Sequence, residues 1–221
     1  PGVHRPGIAV TMPTFHGPVV LSDAGANPEP RPSHLWQYGL MAETVAIHLN
    51  KKTTPRIGLM NIGAEEAKGT DLIRETHALL KATPGINYVG FIEGRDLFGG
   101  VCDVVVTDGL VGNTLLKMAE GLASSLIKGI MHEIAMADMD LMSRLEPVLK
   151  EMFVKNDYHE HGGAPLLGVN GLCFIAHGSS EAKSIRAALR QARKYVSAGI
   201  NEKIVARLAQ VESAMPVPAN A

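Results

Sequence analysis

Little in this chain is aromatic, charged to one side, or rich in cysteine. Aromatic residues make up only 5% of its 221 residues, and the aliphatic and glycine-rich remainder suits thin strands lying under helices, a layered α/β protein. A formal net charge of -1 argues against a general nucleic-acid binder, which carries a basic excess. The two cysteines, Cys102 and Cys173, do not make a disulfide framework; both sit in apolar strand-like runs and read as reduced core residues of a cytoplasmic protein. No window approaches the roughly 18 apolar residues of a spanning helix, and no signal peptide opens the chain, so a soluble protein is expected. There is neither a Walker loop nor a G-x-G-x-x-G fingerprint, so a nucleotide is not indicated. An initial Met is also missing, and the opening "PGVHRPGIAVTMPT" reads as the interior of a longer chain.

What is present is a substantial core, 46% hydrophobic by composition, cut into alternating segments. "IAVTM" and "VVLSDAG" read as strands around a Pro/Gly turn, and Ser33 is placed to cap a helix running to about Asn50. "RIGLMNI" is a strand, Thr70 to Ala82 a helix, "INYVGFI" and "CDVVVTD" strands, and Asn113 opens another helix. Strand and helix alternating through short turns predict a mainly parallel sheet in a three-layer α/β/α arrangement. Residues 114–155 break the rhythm with two long helical patterns, a projecting pair. Ile127, Ile130, Met131, Ile134, Met136, Met139, Leu141 and Met142 give this pair an apolar surface for packing within the molecule, for a dimer, or for lipid. "LCFIAHG" is the final strand. The last helix, Ser179 to Ser197, turns Ile185, Leu189, Ala192 and Val196 inward and ends at Gly199. Residues 1–211 are expected to form the α/β region and 212–221 a flexible tail.

In a parallel sheet the strand-to-helix turns share one edge, where helix amino ends favour an anion. Three glycine-bearing turns fit: "NIGAEEAKGT", "TDGLVGNT" and "AHGSS". Gly69, Asp108, Gly109, Gly112, His177, Gly178, Ser179 and Ser180 are their candidate phosphate-binding residues, glycine by letting backbone approach a ligand and serine by donating. Lys68, beside Gly69, either meets the ligand or pairs with Glu65 or Glu66 in solvent; Asn113 either faces the ligand or caps its helix. His177 is a ligand contact or a hydrogen-bonded core histidine. "EGRDL" reads as a surface ion pair, and "DYHEHGG", with His159, Glu160 and His161, as a polar loop for which no recognised metal spacing exists. A Ser-His-Asp triad through Ser179 or Ser180 has no nucleophile-elbow sequence behind it. Lys183, Arg186, Arg190, Arg193 and Lys194 form a basic stripe on the last helix, opposite its apolar face.

Taken in order, "RPGIAVTMPT", "SDAGAN", "GLMNIGAEEAKG", "EGRDL", "VVVTDGLVGNTLLK", "GGAPLLGVNG" and "AHGSSEAKSIRAALRQAR" resemble the PlsX-type phosphate acyltransferases of bacterial phospholipid synthesis, from about His4 to Lys203. The resemblance implies conversion of acyl-acyl carrier protein and inorganic phosphate to acyl phosphate and free carrier protein. It implies a fold like the isocitrate and isopropylmalate dehydrogenases, a homodimer, no metal or other cofactor, and peripheral attachment to the cytoplasmic membrane through the helical pair. It gives Lys68 phosphate binding and help to the departing sulfur, and Asn113 the developing oxyanion. The basic stripe would then steer an acidic carrier protein. The family's first third, with a "DAMGGD"-like opening and an "SAGNTGA"-like loop, has no counterpart in the chain, and His161 stands where the family usually has an aromatic residue. The rival readings are a phosphotransacetylase acting on coenzyme A, a decarboxylating dehydrogenase, whose metal-binding acids are not evident, and a non-catalytic phosphate- or membrane-binding fragment.

Overall fold

A computed structural model describes residues 2–156, 163–176 and 180–214. Among them the strands are β1 (Gly7–Met12), β2 (Val19–Ser22), β3 (Arg56–Met60), β4 (Asn87–Ile92), β5 (Val104–Val106), β6 (Ala164–Leu167) and β7 (Phe174–Ile175). The helices are α1 (Pro32–His48), α2 (Asp71–Ala82), α3 (Gly109–Ala137), α4 (Met139–Asn156), α5 (Ala182–Ala198) and α6 (Ile200–Ala214). The strands form one sheet in the order β4-β3-β5-β2-β1-β6-β7. The block from β4 to β2 is parallel, as expected from the alternation of strand and helix. β1 runs against both its neighbours and β7 against β6, so β1 and β7 oppose the rest.

The alternation of side chains along β5 divides the core. Val104 and Val106 join α1, α2 and α6 on one face, while Val105 joins Leu116 of α3 on the other. α1 is buried almost all round, from Leu35 to Ala46. Its buried polar groups are therefore partnered: the Trp36 indole donates to Thr83 Oγ1 at 2.8 Å, and Arg207 of α6 grips Glu43 with Nε at 2.9 Å and Nη2 at 3.3 Å.

Several boundaries differ from the sequence reading for local reasons. α1 starts at Pro32 with Arg31 in the cap position, so Ser33 lies inside the first turn, where proline's missing N–H costs nothing. Gly199, at φ 60°, does end α5, but the chain continues directly into α6, whose Ile200, Ile204, Leu208 and Val211 are buried; ordered helix reaches Ala214, past the expected start of the tail. On α5 the face expected inward is exposed, with Leu189 at 68% and Val196 at 66%, and the buried residues are Ala187 and Tyr195. The apolar stripe was real, but one large aromatic side chain sets which side meets the sheet. Cys173 is exposed, whereas Cys102 is buried and its thiol pushed up to about 12 by that burial and by Asp103.

The amino edge of the sheet is tied by Asp103. Its carboxylate accepts from Arg56 Nε at 3.0 Å and backbone N at 2.9 Å, and pairs with Lys52 Nζ at 2.8 Å. Burial opposes its charge, but the hydrogen bonds from Arg56 and Lys52 outweigh that and hold the carboxyl down to about 2. The folded value lies below the unfolded one, so this contribution to stability is complete above about pH 4 and is lost as pH falls through the folded value near 2. Asp103→Ala should destabilise the fold by about 3 kcal/mol in chemical denaturation at pH 7. The difference from the parent should shrink as the pH falls to about 2.

Candidate functional site

The carboxyl end of β2 runs into the loop "SDAGAN", which anchors the site. Asp23 is fully buried, and its carboxylate accepts from the backbone N–H groups of Ile8 (2.9 Å), Gly25 (3.2 Å), Ala26 (3.1 Å) and Asn27 (2.7 Å). Asn27 in turn donates through Nδ2 to Pro6 O at 2.7 Å and to Tyr38 Oη at 2.8 Å. A short polar side chain thus satisfies a whole turn's worth of donors and locks its shape. From the sequence alone this stretch reads as the end of a strand; the signal it carries is Asp followed four residues later by Asn around a glycine.

The start of α3 is pressed onto this loop. A Cβ on Gly112 would stand 1.9 Å from Asp23 O, and one on Gly109 2.8 Å from the backbone of Asn27. Only glycine fits at such closeness. The Gly109 N–H donates to Asn27 O at 2.8 Å, the Gly112 N–H to Asp108 O at 2.9 Å, and the Val111 N–H to Asp108 Oδ1 at 2.9 Å. Asp108 is therefore the helix cap and Asn113 is not, because α3 begins four residues earlier than expected. The glycine amides of this helix end are already engaged, so the groups offered to a ligand here are side chains.

Those side chains meet in a cavity of about 210 Å³ between α3, the sheet face and the approach to α5. Asn113 and Lys117, one turn apart on α3, line one side; Ser180 and Ser184 line another. Gly25 adds the backbone of the anchored loop, with φ 134° and a would-be Cβ 3.5 Å from Asn113 Cβ. Ile8, Val10, Leu116 and Ile175 supply apolar wall. Among the described residues the lining holds one cation, one amide and two hydroxyls and no carboxylate, a set of donors for an oxyanion beside an apolar surface. Lys117 and Ser184 went unread in the sequence, although the spacing of four from Asn113 and Ser180 was the available signal.

Lys68 lies elsewhere on the same sheet edge. β3 and β5 are adjacent and parallel, so the turns that follow them, "NIGAEEAKGT" and "TDGLVGNT", leave the sheet on one side. Within the first, Asn61 Nδ2 donates to Gly63 O at 3.0 Å, and Gly69, at φ 92°, stands where a Cβ would meet Asn61 Oδ1 at 2.5 Å. Lys68 Nζ donates to Glu65 Oε1 at 2.8 Å, the solvent pairing weighed from the sequence, and Lys68 is not among the residues lining the Asn113 cavity. β7 opposes β5 in direction, and of the third turn Ala176 and Ser180 line the cavity with Asn113. His177, Gly178 and Ser179 lie outside the described residues, as do His159, Glu160 and His161. Among the described residues no group of three or more His, Cys, Asp or Glu could hold a metal ion.

Two surfaces complete the picture. The basic stripe Lys183, Arg186, Arg190, Arg193 and Lys194 is exposed on α5, beside the exposed Leu189 and Val196 rather than across from a buried apolar face. The buried residues of α3, namely Gly109, Gly112 and Leu116, all fall in its first third, so the rest of the helix projects with α4 packed on it. Of the apolar residues expected there, Ile127, Met131, Ile134 and Met142 are half-buried, while Ile130, Met136, Met139 and Leu141 are exposed; Met118, Leu122 and Leu126 extend the exposed stripe toward the site. Among the described residues no helix is long and apolar enough to cross a membrane.

The family described as fatty acid synthesis protein matches residues 1–203. The chain is 45% identical over 207 residues to a phosphate acyltransferase of Nitratidesulfovibrio vulgaris (strain DP4), a match covering 93% of this chain and 60% of that protein. It is 45% identical over 212 residues to a phosphate acyltransferase of Geotalea uraniireducens (strain Rf4), covering 94% and 60%. The chain thus spans about 60% of the length of the curated relatives it matches. Its fold is similar to that of a branched-chain phosphotransacylase from Enterococcus faecalis V583, with a TM-score of 0.55 at 16% identity over 86% of this chain and 64% of that one.

Proposed function

The chain belongs to the fatty acid synthesis protein family, and on that premise we propose that it carries the phosphate and oxyanion machinery of an enzyme that transfers an acyl group from acyl carrier protein to inorganic phosphate. The observation that carries this reading is the cavity beside Asn113, whose described lining combines neutral donors and one ammonium with apolar residues. A phosphate oxygen attacks the thioester carbonyl carbon; the carbonyl π pair moves to oxygen, and the oxyanion accepts from the Asn113 amide. When the C=O bond re-forms, the C–S bond breaks, the acyl phosphate leaves, and the thiolate takes a proton. Lys68, on the neighbouring turn of the same edge, supplies positive charge to phosphate and to the departing sulfur once it exchanges Glu65 for them. Such a thiol has a pKa near 8.5, so modest help suffices. Cys102, buried and with its thiol pushed up to about 12, is not a nucleophile in this scheme, and the attack is direct.

The same reading places carrier protein on α5. Reversing the charge of Arg186 and Arg190 together should slow association with acyl carrier protein and flatten its dependence on salt, measured by stopped-flow at several ionic strengths. Kinetics that do not change across ionic strength would leave the stripe a solvated face. The projecting pair α3 and α4 serves a homodimer first and a membrane surface second. Aspartate at Met136 and Met139, which are exposed and so free of the packing between the two helices, should weaken dimerisation or vesicle binding without lowering the melting temperature. If neither association changes, that role is wrong. The activity itself is tested by following acyl-phosphate formation from acyl carrier protein, with this chain and with the chain extended to the length of its curated relatives.

A further inference from the structure

Lys117 lies one helical turn beyond Asn113, on the same side of α3, and both line the cavity that Ser180 and Ser184 also line from α5 and its approach. Among the described residues Lys117 is the cation of that lining; Lys68 is not part of it. The Lys117 ammonium donates to Glu120 Oε2 at 2.9 Å, a contact between residues three apart on the helix. Glu120 takes one of the three N–H donors of the ammonium, which leaves two for a ligand. The side chain of Lys117 is 43% exposed, so a ligand reaches it without unpacking anything.

Resting on the acyl-transfer reading above, we infer that Lys117 is a phosphate-binding residue of this site, holding the attacking phosphate against Asn113 while Ser180 and Ser184 donate to its other oxygens. The chemistry that favours this is the match between a tetrahedral dianion and the one charged and three neutral side-chain donors that the described residues bring to one cavity. Lys117 shares the lining of this open cavity with an amide and two hydroxyls, the neutral partners that a phosphate held by one ammonium needs. Lys68 then acts from the neighbouring turn on the leaving sulfur, with the smaller share of the charge on phosphate.

The experiment is a calorimetric titration of the 221-residue chain with inorganic phosphate, in parent, Lys117→Met, Lys117→Arg, Lys68→Ala and Asn113→Ala forms, each checked for an unchanged melting curve. Lys117→Met should weaken phosphate at least about tenfold, the scale of one hydrogen bond to a charged group, and Lys117→Arg should restore most of the loss. Lys68→Ala should change phosphate affinity less than Lys117→Met does. If Lys117→Met binds phosphate as the parent does while Asn113→Ala does not, Lys117 is a surface lysine and the inference fails with the site intact. If the parent itself takes up no phosphate at millimolar concentration, the cavity is not the phosphate site and the inference falls together with the reading beneath it.

Discussion

Asn113→Asp is expected to reduce acyl-phosphate formation at least about a hundredfold while leaving the fold unchanged, in a chain extended to the length of its relatives. The replacement keeps size and shape and changes one donor into an anion. At the cavity that anion would face the incoming phosphate and the growing oxyanion, both of the same sign. From the sequence, a cap role for Asn113 would have confounded the result, since loss of a cap costs about 1 kcal/mol. The structure removes that difficulty: Asp108 caps α3 through its 2.9 Å bond from Val111 N, and Asn113 sits beyond the first turn, exposed. A melting curve beside the rate separates the two effects, and Asn113→Ala should lose rate on the same scale. An active Asn113→Asp enzyme would reduce this position to helix surface.

Gly112→Ala should destabilise the protein by about 3 kcal/mol or more, the range of overpacking against atoms that have nowhere to go. The added methyl would lie 1.9 Å from the carbonyl oxygen of Asp23 and 3.0 Å from Thr107 Cγ2. Neither neighbour is the end of a flexible chain: the first is backbone in a loop held by the Asp23 carboxylate, and the second belongs to a fully buried threonine. Relief requires α3 to lift from the loop, which carries Asn113 and Lys117 away from Gly25 and the sheet face. Gly121→Ala, on the same helix with nothing within 4 Å of the new methyl, is the control and should be neutral or stabilising by up to about 1 kcal/mol. Urea denaturation of the two variants checks both. Equal stabilities would mean that the close approach of α3 to the loop does not hold in solution.

The contrast between these two glycines shows what the sequence could express and what it could not. Alternating strands and helices were legible because period and punctuation are local, and β2, β3, β4 and β5 lie where their β-branched and apolar runs put them. The reversed direction of β1 and β7 was not legible, because a strand carries no mark of its orientation. Asn113, read as a residue of a strand-to-helix turn, lies inside α3, and the cap role went to Asp108, since two residues of equal capping strength stood five apart. Lys117 looked like one more polar residue on a long helix. Only the fold shows that the face it occupies, shared with Asn113, meets Ser180 and Ser184 across a cavity. On α5 the amphipathic pattern named a stripe, yet Tyr195 rather than Leu189 and Val196 faces the core, because burial depends on which neighbours exist and not on periodicity alone.

The most direct measurement compares two acyl donors in one assay for acyl phosphate: long-chain acyl carrier protein and acetyl-coenzyme A, each with inorganic phosphate, with the chain extended to the length of its curated relatives. The proposed mechanism predicts acyl phosphate from the carrier-protein donor, dependent on phosphate and abolished by Asn113→Asp, with little or none from acetyl-coenzyme A. Turnover of acetyl-coenzyme A without turnover of the acyl carrier protein would contradict it and identify a phosphotransacetylase instead.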